Sequence, residues 1–155
     1  MNSASEIQIT AAHHEAGHAV VAYLHGVRPQ SITVDEDGRG RFNSDRQNLT
    51  AETETMVAMA GPAAEYLFSN SVGGNFPSFA EALDSHNHLW SDMDRHDACK
   101  HSESLPPEEQ CRFREQYWQQ TCKILCSHWS SVQAVAAATL ERKTLIGRQI
   151  WDLIN

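Results

Sequence analysis

The sequence has no apolar run approaching the roughly 20 residues that cross a bilayer, so a membrane span is not expected. Its start, Met1-Asn2-Ser3-Ala4-Ser5-Glu6, lacks the basic and apolar regions of a signal peptide, which points to the cytoplasm. Cysteine is sparse. The four present, Cys99, Cys111, Cys122 and Cys126, are expected to stay thiols in a reducing compartment and to serve as packing residues. Basic residues are outnumbered, 12 Lys plus Arg against 20 Asp plus Glu. The resulting charge of -8 repels phosphate backbones, and no basic cluster offsets it locally, so nucleic acid is excluded as an expected partner. Internal repeats, low-complexity tracts and linkers are also missing, and residues 1–155 are read as one domain.

What remains is an ordinary globular composition, 41% hydrophobic and 21% charged, with nine histidines. The periodicity predicts a mainly α fold with a small β-hairpin. A first helix is expected from about Ile7 to His25, with Ser3 and Glu6 as a capping box and Gly26 and Pro29 as its stop. Two short strands, Ser31 to Asp35 and Arg39 to Asn43, flank a tight turn at Asp37-Gly38. Thr50 is placed to cap a second helix, which Gly61-Pro62 should bend. Ser69 to Pro77 reads as a loop, and Ser91 as the cap of a helix starting at Asp92. Pro106-Pro107 opens a longer helix reaching His128, another begins near Ser130, and the C-terminal part divides near Thr144. The tryptophans Trp90, Trp118, Trp129 and Trp151 are expected to anchor core or interface packing.

The sharpest feature is His14-Glu15-Ala16-Gly17-His18, a His-Glu-x-x-His pattern inside a predicted helix. Residues four apart stand roughly 40° round the axis and about 6 Å along it, so both imidazoles can converge on one ion. His13 and His18, five apart, are separated by roughly 140° and cannot readily do so. A bound zinc ion lowers the pKa of water from about 15.7 to about 7 and so provides a nucleophile at neutral pH. Glu15, next to the first ligand, can accept the water proton and later pass it to a leaving amine. His25 lies about 10 Å along the axis from His18, too far to complete the shell. The metzincin arrangement is absent, since Val21 and Leu24 stand where its glycine and third histidine belong.

Ala12-His13-His14-Glu15-Ala16-Gly17-His18-Ala19 resembles the zinc helix of FtsH-type metallopeptidases. Ala60-Gly61-Pro62-Ala63-Ala64-Glu65 is similar to that family's Ala-Ala-Glu helix, and Leu140-Glu141-Arg142-Lys143-Thr144-Leu145-Ile146-Gly147 to its C-terminal Leu-Glu-x-x-Thr-Leu-x-Gly stretch. The resemblance implies a third zinc ligand from an aspartate at a helix start, and Ser91-Asp92 stands in the corresponding order, which makes Asp92 the expected ligand. Asp94, Glu65, His86 and His88 are the rivals, with Glu65 expected to support a ligand rather than to be one. Two neutral histidines and one carboxylate leave a fourth position for water, the layout of a hydrolytic zinc centre. Cys122, Cys126 and His128 are read as packing residues rather than a second metal site.

The sequence departs from the FtsH type in lacking a Gly-x-x-x-x-Gly-Lys-Ser/Thr phosphate loop. The expected activity is therefore ATP-independent zinc peptidase action on peptides, flexible tails or unfolded chains, or action that relies on a partner protein for delivery. The strand from Ile32 to Val34 is expected to offer its edge to an extended substrate. The alternative is a noncatalytic zinc-binding interaction domain descended from the peptidase fold.

Overall fold

The computed structural model describes residues 3–70 and 75–155. Of the loop expected from Ser69 to Pro77, Ser69 and Asn70 instead end a helix, residues 75–77 have no regular structure, and residues 71–74 lie outside the described residues.

Helix α1 (Glu6–Leu24) starts two residues later than its expected capping box. The box is formed by Ser5 and Gln8: Ser5 Oγ accepts from the Gln8 N–H at 3.2 Å and Gln8 Oε1 from the Ser5 N–H at 2.9 Å. Gln8 also donates to the Asp35 carbonyl, a tertiary contact that favours this box over Ser3 and Glu6. The helix closes at Gly26, whose φ of 78° a residue with a Cβ rarely adopts. Between these ends α1 is buried almost all round: Ala12, Ala16, Ala19, Val20, Val21 and Ala22 are fully enclosed. Small side chains suit a helix that must accept neighbours on every side.

Strands β1 (Pro29–Val34) and β2 (Gly40–Ser44) form the expected hairpin, turned at Gly38, where Asp35 accepts from the N–H groups of Asp37 and Arg39. A third strand, β3 (Thr144–Ile146), pairs antiparallel with the other side of β1, so the hairpin becomes a three-stranded sheet in the order β2-β1-β3. Ile32 stands opposite Phe42 on one side and Leu145 on the other. This corrects the expectation for the Ile32 to Val34 edge, because both edges of β1 are already paired. The outer edge of β2 has no partner strand among the described residues.

Helix α2 (Ala51–Asn70) begins where Thr50 Oγ1 accepts from the Thr53 N–H and continues through Pro62 as one element. It crosses α1 closely. A Cβ built on Gly17 would stand 2.5 Å from both the Ala60 carbonyl oxygen and the Ala64 Cβ, so only glycine fits at that crossing.

The remainder is α3 (Phe79–Asp84), a 3-10 turn at Asn87–Leu89, α4 (Asp92–Cys99), a second 3-10 turn at Lys100–Ser102, α5 (Pro107–Ser127), α6 (Trp129–Arg142) and α7 (Gly147–Ile154). Trp118 is fully buried against Phe79 and Trp90, and its indole N–H donates to the Pro77 carbonyl. Cys122 is sealed in the same core, where burial pushes its thiol up and keeps it protonated. The fold is thus mainly helical around α1, with the sheet along one flank. Among the described residues no helix is long and apolar enough to cross a membrane.

Candidate metal centre

The middle of α1 presents His14, Glu15 and His18 to a groove of about 890 Å³ bounded by β2, α2 and α4. The two imidazoles stand with ring centroids 4.9 Å apart, as one turn of helix requires. Each is fixed from behind through Nδ1. His18 Nδ1 donates to the Val57 carbonyl at 2.6 Å, and His14 Nδ1 to Glu65 Oε1 at 2.9 Å. Both acceptors lie on α2, one backbone and one side chain, and together they leave both Nε2 atoms turned to a common point.

The carboxylate at that point is Asp94. Its Oδ2 lies 2.9 Å from His14 Nε2 and its Oδ1 3.4 Å from His18 Nε2. Asp92, the expected third group, is exposed on the first turn of α4 and takes no part in the cluster. Two residues apart on a helix is about 200° of rotation, so the two aspartates cannot face the same way. Ser91 caps α4 as expected, accepting from the Asp94 N–H at 3.0 Å, and this fixes the turn that aims Asp94 inward. The rivals separate equally plainly. Glu65 supports His14; His88 lines the groove outside the cluster; His86 packs against Tyr66 with ring centroids 5.3 Å apart. His13 faces away, stacked on Phe68 and Trp129, as its 140° offset requires.

Two glycines make room for the cluster. A Cβ on Gly61 would meet His14 Nε2 at 2.5 Å and would press on His18 as well. A Cβ on Gly40, in β2, would stand 2.6 Å from Glu15 Cγ and 2.8 Å from its Oε2. Glu15 is thereby held against β2, 7% exposed, beside the imidazoles it adjoins in sequence. Phe42 closes the same side, its ring parallel to His18 within 14°.

The electrostatics follow from this enclosure. Burial opposes a charge on His14, but its hydrogen bonds to Asp94 and Glu65 and the negative charges of Glu15 and Asp94 outweigh it and raise its pKa to about 10. His18 moves up for similar reasons, burial again opposing and Asp94 prevailing. Burial would raise Asp94, yet the two imidazoles hold its carboxyl well below the usual carboxylate range.

The donor atoms of His14, His18 and Asp94 all lie within 4.8 Å of one another. Ligands around one tetrahedral zinc ion stand about 3.4 Å apart, given zinc to ligand distances of about 2.1 Å, and the observed 2.9 and 3.4 Å need only small adjustment to meet that. Nitrogen, nitrogen and carboxylate oxygen suit a borderline divalent ion. The residues present therefore fit a metal.

In the sequence Asp94 is only one of several acids near the right place, and Gly61 only an uncommon helix-interior glycine, a residue that costs about 1 kcal/mol relative to alanine. The role of the Val57 carbonyl has no signal in the sequence at all. No curated protein matches the chain. Residues 7–72 match the family model described as Peptidase M50B-like, a match that takes in α1, the β1-β2 hairpin and α2 and stops short of Asp94. Over that stretch, which carries His14, Glu15, His18 and Glu65, the chain is similar to metallopeptidases, a coarser kinship than the FtsH type.

Proposed function

We propose that the chain is a zinc-dependent peptidase working without ATP, with His14, His18 and Asp94 as metal ligands and Glu15 as general base. The observation that carries this reading is the convergence of the two Nε2 atoms and the Asp94 carboxylate beside a buried Glu15 that is held by β2 rather than by the cluster. A site built for structure alone needs ligands on all four sides and no neighbouring base.

Zinc, when bound, supplies Lewis acidity to a scissile carbonyl and to water. The chain's own groups do the rest. The Val57 carbonyl and Glu65 keep a proton on each Nδ1 and so keep both Nε2 lone pairs available. Glu15 takes the proton of the attacking water at its carboxylate and delivers it to the leaving amine nitrogen. The open edge of β2, Gly40–Ser44, borders the groove and is suited to pair with the backbone of an extended substrate. Such pairing reads main chain more than side chains, which fits peptides, flexible tails and unfolded proteins. The sequence carries no phosphate loop for ATP. We favour the FtsH type as the nearer kinship, on the stretch from Leu140 to Gly147, which in the fold supplies β3 and the start of α7.

The test is zinc content by elemental analysis together with cleavage of an unfolded protein, wild type against Glu15→Gln. One zinc per chain in both, with cleavage falling by about 10² or more in the variant, is the expected outcome. Zinc in both with equal turnover would leave a zinc-binding interaction domain, and no zinc in either would end both readings.

A further inference from the structure

The carboxylate of the cluster sits on a short helix with little apolar anchorage. Helix α4 is eight residues long, Asp92–Cys99, and buries only Ala98. Burial of one alanine cannot fix the rotation and height of a helix to the few tenths of an ångström that a ligand set demands. Something polar must do so.

Immediately after α4, Lys100 Nζ reaches Glu54 Oε1 at 2.9 Å, and His101 Nε2 donates to the same oxygen, 2.6 Å away. Lys100 also pairs back to Asp97, in the last turn of α4, at 3.2 Å. Arg46 closes the other Glu54 oxygen at 2.8 Å. Burial opposes ionisation of Glu54, but the hydrogen bonds of His101, Lys100 and Arg46 overcome it and lower its pKa to about 2, so the carboxylate stays charged.

The position of Glu54 on α2 gives this network its meaning. Glu54, Val57, Gly61 and Glu65 follow one another at three or four residue steps and form a single stripe along α2 facing the groove. Val57 fixes His18, Gly61 admits both rings, and Glu65 fixes His14. Glu54 is the fourth member, and two of its three partners, Lys100 and His101, lie on the segment that follows Asp94.

We propose that Glu54 is a positioning residue for the metal centre: by gripping Lys100 and His101 it ties α4 to the helix that orients both imidazoles, and so holds Asp94 in reach of them. This rests on the metal-binding reading above. Glu54 is outside the ligand cluster, and its effect on the metal passes through Asp94.

A plain field effect and a positioning effect differ in sign. Removing the negative Glu54 weakens cation binding on either view, whereas removing Lys100, a cation, strengthens it by field alone and weakens it if α4 is released. The experiment is a zinc titration of the full chain in competition with a chelating dye, for wild type, Glu54→Gln, and the double variant Lys100→Gln with His101→Gln, each with and without Asp94→Asn. Both sets of changes should weaken zinc binding roughly tenfold. Those losses should shrink to less than about twofold once Asp94 is replaced, because a positioning effect vanishes with the group it positions. The double variant alters partly exposed side chains and keeps the test decisive even if Glu54→Gln fails to fold. A double variant that binds zinc as tightly as wild type, or more tightly, overturns the proposal, as does a loss that persists without Asp94. Wild type that binds no zinc overturns the metal-binding reading itself.

Discussion

Gly61 lies so close to His14 that a single added methyl group would stand 2.5 Å from the imidazole Nε2. The two residues are on different helices, and the contact forces a choice between helix propensity and site. Alanine in a helix interior is favoured over glycine by about 1 kcal/mol. Gly61→Ala should therefore leave the metal-free fold within about 1 kcal/mol of wild type while weakening zinc binding by tenfold or more. Chemical denaturation and a zinc titration on the same preparation check both halves.

Gly17 is the counterpart at the helix crossing, and there the obstruction is the Ala60 carbonyl, which cannot swing aside as a side chain can. Gly17→Ala should destabilise the fold by about 1–3 kcal/mol through overpacking, despite its better helix propensity. The midpoint of urea unfolding reads this directly, and an unchanged midpoint would mean that α1 and α2 are packed less tightly than described.

Glu65 accepts from His14 Nδ1 and is itself outside the cluster. Glu65→Gln keeps a hydrogen-bonding group but removes the charge that orients and enriches the imidazole. Zinc affinity should drop by about 10 to 100-fold, with the metal-to-protein ratio still reaching one at saturating zinc.

The raised pKa of His14 has a sign that can be worked out. In the folded, metal-free chain it is about 10 against an ordinary 6.5, so its stabilising contribution is complete below the ordinary value and is lost as pH rises towards the folded one. Asp94 is held low, so its contribution is present above the ordinary carboxylate range and is lost on acidification. Metal-free protein should become less stable between about pH 6.5 and about pH 10, as denaturation midpoints across that window would show. Zinc binding, which competes with the proton on His14, should tighten over the same interval.

How much of the fold and site is legible in the sequence depends on whether local or distant contacts decide. His14 and His18 are related by one helical turn, which sequence spacing states outright, and Glu15 follows from the same turn. That Asp94 rather than Asp92 stands beside the two imidazoles depends on how α4 is rotated against α2, which no local pattern reveals. Strand β3 shows in the sequence only as a break near Thr144, because three residues between two helices carry no readable alternation and their pairing partner Ser31–Thr33 is more than 100 residues away along the chain. The start of α1 falls at Ser5 rather than Ser3 because of a bond from Gln8 to Asp35, where a tertiary contact decides between two equally good local signals.

Zinc affinity of Asp94→Asn set beside Asp92→Asn tests the assignment of the metal centre most directly, since the two residues share a helix turn, a charge and a side-chain type and differ only in the direction they face. Asp94→Asn should weaken zinc binding by at least about 100-fold while Asp92→Asn stays within about twofold of wild type. Equal effects of the two substitutions, or a larger loss at residue 92, would contradict the ligand set of His14, His18 and Asp94.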